Sequence, residues 1–250
     1  MTKQTYAEPG LYDIAFSYRD YDREAEVLER CFEAISQTQL TSVLELACGP
    51  ARHLLPFVVR DIHCQGLDLS SDMCRYAETL IEPAKVLEGD MREFELGRQY
   101  DLVLLLINSV SHLLEERDLT THLRSVRRHL TTNGLYLIEA TRDGTDEPPG
   151  ESQWRNERDS DYVDLTWSWT ESTNTVTLNG MYQNREVQFS ETFPMRRWST
   201  EELIKFASAA GLTLVGCTGD FSADGAELVR ECRQLPNPTT MHPCLIFAPT

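Results

Sequence analysis

The sequence predicts a doubly wound α/β fold, a mostly parallel seven-stranded sheet with helices on both faces and a small antiparallel β insert. Three observations predict it. Short β-rich runs alternate with helical stretches over residues 42–140, the order that builds a parallel sheet. The run 101–107 is apolar almost without break, as a strand covered on both faces must be. From Tyr162 the apolar period becomes two, so Val163, Leu165, Trp167 and Trp169 share one face of an antiparallel sheet.

The first forty residues read as a helical lead-in. Tyr12, Phe16, Tyr18 and Tyr21 crowd one stretch, and Val27, Leu28, Cys31 and Ile35 repeat at helical spacing. Strand 42–46 ends in Ala47-Cys48-Gly49-Pro50, followed by a helix over 52–59 and a second strand over 62–69. Ser71 is placed to cap a helix running to Leu80, with Asp72 favourable in its first turn. A third strand, 85–88, leads into Gly89-Asp90-Met91. After strand 101–107, Leu119, Leu123, Val126 and Leu130 form the stripe of a helix closed by Asn133-Gly134, and 135–140 is the next strand. Residues 142–160 are rich in charge, Gly and Pro and read as a loop, followed by three antiparallel strands split at 172–174 and 183–185. Ser199-Thr200-Glu201-Glu202 opens a helix with a capping box, then come strands 212–216 and 244–248, with a helix expected over 226–233. The predicted organisation is a lead-in or gate (1–40), a ligand-binding α/β domain (41–141 and 196–250), and an insert acting as lid or platform (142–195).

Composition narrows the function. Lys and Arg total 23 against 40 Asp and Glu, a net charge of −17, which repels polyphosphate backbones and argues against nucleic acid as partner. Apolar runs are too short to cross a bilayer, and the N-terminus lacks a secretory leader, so the expected location is cytoplasmic. The seven cysteines are odd in number and contain no Cys-x-x-Cys pair, which indicates neither a disulfide framework nor a metal site. Homo-oligomerisation stays open.

The chemistry concentrates at the ends of the parallel strands, where open α/β sheets bind ligands. Small residues at 47, 49 and 51 allow a sharp turn whose backbone can lie against a flat ligand. The loop is not the dinucleotide fingerprint, because glycine occurs only at 49 and Arg52 fills the last position. Asp68 stands 19 residues beyond Gly49, the spacing of a ribose-binding carboxylate. Glu88-Gly89-Asp90-Met91 and Ile107-Asn108-Ser109 follow the third and fourth strands.

Together these segments resemble the class I S-adenosylmethionine-dependent methyltransferases. The resemblance covers residues 10–141 and, more loosely, 196–218. It implies S-adenosylmethionine as cofactor, with Glu45, Ala47, Gly49 and Arg52 in the first motif and Asp68 on the ribose. Leu69 and Met73 would flank that acid, Asp90 and Met91 would meet the adenine, and Ile107 and Asn108 would close the site. Leu11-Tyr12-Asp13, Arg19-Asp20-Tyr21 and Asn108-Ser109-Val110-Ser111-His112-Leu113 resemble the amino-sugar N-methyltransferases in particular. Methyl transfer to a nitrogen or oxygen of a small-molecule acceptor follows as the expected activity. His112 is the first choice of base, or else a histidine satisfied within its own loop. Tyr12 and Tyr21 either position the acceptor or only pack the lead-in. Other adenosylmethionine chemistry, a non-catalytic binder and a nicotinamide oxidoreductase are the competing readings.

Overall fold

The computed structural model describes residues 6–140, 149–218 and 244–250. β1 (Ser42–Leu46) is buried along its whole length and runs parallel to β2 (His63–Asp68) on one side and β4 (Tyr100–Leu105) on the other. β3 (Lys85–Glu88) extends the sheet beyond β2, and β5 (Leu130–Glu139) extends it beyond β4. β11 (Cys244–Pro249) pairs antiparallel with both β5 and β10 (Leu212–Thr218), giving the seven-strand order β10-β11-β5-β4-β1-β2-β3. The chain leaves β1 toward β2 and β3, then returns to place β4 on the opposite side. That reversal opens a crevice at the carboxyl ends of β1 and β4.

Strand alternation divides the core into two layers. Val43, Leu102, Leu104 and Leu137 pack under α2 (Tyr21–Ser36), α3 (Leu55–Val59) and α4 (Ser71–Glu78). Leu44, Leu46, Val103, Leu105 and Ile138 pack under α5 (Glu116–His129) and α6 (Thr200–Ala209). Among the described residues, no helix is long and apolar enough to cross a membrane.

A second sheet of four antiparallel strands, β6 (Gly150–Arg158), β7 (Asp161–Trp169), β8 (Thr173–Tyr182) and β9 (Arg185–Pro194), forms a meander. Its apolar face closes over α1 (Pro9–Ala15), where Leu11, Ile14, Ala15 and Phe16 meet Val163, Leu165, Val176, Leu178 and Phe189. The packing is tight, since a Cβ at Gly10 would lie 2.1 Å from the Tyr182 ring. Trp154 Nε1 and Asn156 Nδ2 each donate to the Ala15 carbonyl at 2.7 Å, so β6 satisfies the exposed end of α1.

Several details differ from the sequence reading. The insert has four strands and not three, because β6 lies in the stretch read as loop. As an edge strand it is mostly polar on both faces, which hides its period. Ser70, not Ser71, caps α4: its backbone is extended and its Oγ accepts from Met73 N at 3.3 Å. The first-motif helix is shorter than expected, and residues 51–54 turn before it begins. α5 ends at His129 without glycine, and Asn133-Gly134 lie inside β5. The His129 ring explains that stop, with Nδ1 bonded to the Ser125 carbonyl at 2.7 Å and Nε2 accepting from Leu96 N. The capping box at Ser199 and Glu202 is present. Cys31 is disulfide-bonded, which the scattered cysteines do not signal. The helix expected over 226–233 lies outside the described residues.

Candidate active site

The loop leaving β1 takes the shape its small residues permit. Ala47, Gly49 and Ala51 all have positive φ, at 50°, 51° and 57°. Only glycine adopts such a φ without strain, and side chains larger than a methyl group would also fill the space above the turn. The loop lies close on β2 because residue 66 is glycine, where a Cβ would stand 2.7 Å from Cys48 Sγ.

Asp68, at the end of β2, braces this loop. Its Oδ2 accepts from Gly49 N and its Oδ1 from Ser70 N, both at 2.8 Å, so one carboxylate joins the first motif to the start of α4. Burial raises its pKa above the ordinary carboxylate value, against the lowering effect of these backbone donors. Each oxygen keeps a lone pair for a ligand hydroxyl. Beside it Leu69 is 66% exposed, whereas Met73 is sealed in the core beneath the cap.

Glu45 is buried within β1. Its Oε1 lies 2.9 Å from His53 Nδ1, and its Oε2 has no partner. His53 Nε2 is 3.0 Å from Glu24, Arg19 then bonds Glu24 through Nε and Nη2, and its two terminal nitrogens reach Glu139 at 3.2 and 3.1 Å. Glu139 also accepts from Ile107 N at 2.9 Å. A chain of charges therefore runs beneath the crevice from β1 to the end of β5. Burial pulls the His53 pKa down, but the two carboxylates outweigh it and hold it at about 9. A pKa raised from 6.5 to about 9 adds stability that is complete below pH 6.5, fades as pH rises, and is gone above about 9. Chemical denaturation from pH 6 to 10 should show this decline, and His53→Asn should flatten it. An equal decline in both proteins would exclude His53 as its source.

Arg52 forms a fork on Asp13 of α1, at 2.6 and 2.5 Å. The Asp90 carboxylate accepts from Arg92 Nε and from Arg92 N, both at 2.8 Å. Burial would raise its pKa, but the arginine holds it below the usual value. The Met91 carbonyl receives His122 Nδ1 at 2.7 Å, while His122 Nε2 accepts from the Tyr136 hydroxyl. Burial keeps that imidazole neutral, with its pKa lowered to about 4. Ile107 and Asn108 turn sharply after β4, at φ 50° and 54°, an unusual conformation for a β-branched residue and one that concentrates at functional sites.

Two hollows meet at these residues. A narrow one of about 30 Å³ is lined by Tyr12, Tyr21, Glu45, Gly49, His53 and Ile107. A larger one, about 970 Å³, opens between the sheet ends and the insert, with Asn108, His112, Glu139, Trp154, Trp167, Trp169 and Arg197 on its walls. His112 Nε2 lies 3.0 Å from the Tyr6 hydroxyl. Tyr12 borders both hollows and packs on Phe16, with ring centroids 4.5 Å apart. Tyr21 is held apart from the large cavity, its hydroxyl on the Phe16 carbonyl and its ring edge-on to His53. The structure thus brings His112 and Tyr12 to one cavity and leaves Tyr21 beside the narrow hollow.

The sequence reading did not single out Arg19, Glu24, His53 and Glu139 as a network. One signal was available, because Glu24 falls on the apolar stripe of Val27, Leu28 and Cys31 and Glu139 ends a buried strand. A charge in an apolar register requires a partner.

Residues 43–134 match the methyltransferase domain family. Over 130 residues the chain is 32% identical to the dTDP-3-amino-3,4,6-trideoxy-alpha-D-glucopyranose N,N-dimethyltransferase of Streptomyces venezuelae, covering 52% of this chain and 55% of that enzyme. The match thus spans about half the length of the curated relative. Among solved structures, DesVI of Streptomyces venezuelae superposes with a TM-score of 0.80 at 22% identity, covering 96% of this chain and 98% of its own. An amino pentose methyltransferase from Micromonospora echinaspora gives 0.75 at 18% identity, covering 100% and 98%. Residues 43–134 thus match a methyltransferase domain, and the sheet order and the superpositions show the fold of the class I S-adenosylmethionine-dependent methyltransferases.

Proposed function

We propose that this chain methylates the amine nitrogen of a small amino sugar, carried on a nucleotide as in its curated relatives. The observation that carries the reading is the junction of the two hollows. The small-residue loop and Asp68 lie on one side of Tyr12, and a cavity of about 970 Å³ walled by His112 and three tryptophans lies on the other.

The residues present fit the cofactor. The orphaned Glu45 Oε2 and the small, left-handed turn of Ala47-Gly49-Ala51 mark where it would be held, with Asp68 for the ribose and Asp90 and Met91 for the adenine. Bound there, it would supply an electrophilic sulfonium methyl group. The narrow hollow, about 30 Å³, is too small for the cofactor, so Tyr12, which walls it, must give way on binding and the lead-in acts as a gate. Burial raises the Tyr6 phenol far above its usual value, so it stays protonated, and with His112 in the tautomer that carries its proton on Nδ1 it donates to Nε2. His112 thereby offers a lone pair at Nε2, and an acceptor amine that displaces Tyr6 can pass its proton to that nitrogen. The tryptophan-lined insert covers the cavity and excludes water.

Mass spectrometry of reactions with nucleotide-linked amino sugars and their hydroxyl counterparts tests this. One or two methyl groups should appear on the amino sugars alone, and His112→Gln should lower kcat roughly 100-fold with cofactor affinity unchanged. Methylation of the hydroxyl compounds alone would overturn the nitrogen assignment. Full activity of His112→Gln would remove its role.

A further inference from the structure

The narrow hollow carries a more specific assignment, which rests on the cofactor reading above. His53 is 2% exposed, and each ring nitrogen lies within 3.0 Å of a carboxylate oxygen, Glu45 Oε1 on Nδ1 and Glu24 Oε2 on Nε2. Ionised carboxylates only accept, so both nitrogens must donate and the ring is an imidazolium. Its raised pKa agrees with that geometry. Tyr21 covers the ring edge-on at 4.9 Å, and Arg19 locks Glu24 from its other side. His53 therefore cannot turn without breaking two buried ion pairs.

The consequence falls on Glu45. One of its oxygens is committed to His53, and the other is buried, bordering the hollow, without a partner. A buried carboxylate oxygen in that state calls for a donor. Asp68 sits at the far side of the same loop, bonded to Gly49 N, and takes the ribose in the reading above. The amino-acid end of the cofactor then falls on the Glu45 side, and its α-ammonium is a cationic donor of the required kind.

We propose that His53 is a positioning residue for the cofactor's amino-acid end: clamped between Glu24 and Glu45, it fixes Glu45 so that Oε2 receives the α-ammonium. Its role is to select the amino-acid portion and not to hold the adenosine. A purely structural histidine would support both portions alike.

Calorimetric titration separates these roles. Wild type, His53→Asn and Glu45→Gln are titrated with S-adenosylhomocysteine, which carries the α-ammonium, and with 5′-methylthioadenosine, which has the same adenosine and lacks the amino acid. His53→Asn should weaken S-adenosylhomocysteine about tenfold, the loss of one charge-assisted bond, and shift methylthioadenosine less than about twofold. Glu45→Gln preserves the size of the side chain and serves if His53→Asn does not fold. It should lose the same ratio. Equal weakening of both ligands, or of neither, overturns the inference and leaves the cofactor reading intact. A wild-type protein that binds neither ligand overturns both.

Discussion

Asp68→Ala should raise the Kd for S-adenosylhomocysteine by roughly 100-fold or more. Two ribose hydroxyls donating to an ionised carboxylate are worth about 3 kcal/mol together, and about 1.4 kcal/mol corresponds to a tenfold change. The same carboxylate braces the loop through Gly49 N and the α4 cap through Ser70 N, so alanine also loosens the site itself. Asp68→Asn separates the two effects, because its amide oxygen can still accept one of those N–H groups. The raised pKa adds a second expectation. A carboxyl that holds its proton more tightly in the folded state loses stability on ionising, so ionised Asp68 at neutral pH costs the fold some stability. Thermal unfolding without ligand should show Asp68→Asn as stable as the wild type or more so, while titration shows it binding far more weakly. Affinity within threefold of wild type in both variants would mean that the ribose is held elsewhere.

What the sequence revealed and what it concealed divide along the range of the interactions. The first-motif turn was legible because it depends on small side chains at 47, 49 and 51. The positive φ at Ala47 and Ala51 is imposed by the fold, and only that at Gly49 follows from the residue type. The place of Asp68 at the end of the second strand was legible too, whereas its bond to Gly49 N was found only in the fold. Strand β7 announced itself through Val163 and Leu165, whereas β6 did not, because Glu151, Gln153, Arg155 and Glu157 alternate with residues nearly as polar. The buried charge chain was harder. Glu24 and His53 are 29 positions apart, and Arg19 and Glu139 are 120 apart, so only the fold brings the four together. The sequence marked them as charges in apolar company, without saying which would pair.

Asp13→Ala should be the most damaging of these substitutions to the fold, at about 2–4 kcal/mol. Asp13 is 1% exposed on α1 and accepts from Arg52 of the first-motif turn, Arg158 of β6 and Tyr76 of α4, at 2.5–2.8 Å. One carboxylate thus joins the lead-in, the insert and both flanks of the cofactor loop. Breaking a buried ion pair from one side costs about 3–5 kcal/mol. The lower range applies because the Arg52 and Arg158 side chains are 23% and 38% exposed and can turn toward water. Asp13→Asn keeps the volume and one acceptor, and should lose about half as much. Burial raises the Asp13 pKa, but Arg52, Arg158 and Tyr76 outweigh it and hold the group below its usual value. Its contribution is therefore present above about pH 4, the ordinary carboxylate value, and is lost as pH falls through the lowered one. Urea denaturation at pH 7 should give the full difference between wild type and Asp13→Ala, and the two curves should converge as the pH falls below 4. A difference under 1 kcal/mol at pH 7 would mean that the apolar packing of α1 on the insert, through Leu11, Ile14 and Phe16, holds the lead-in in place without the carboxylate.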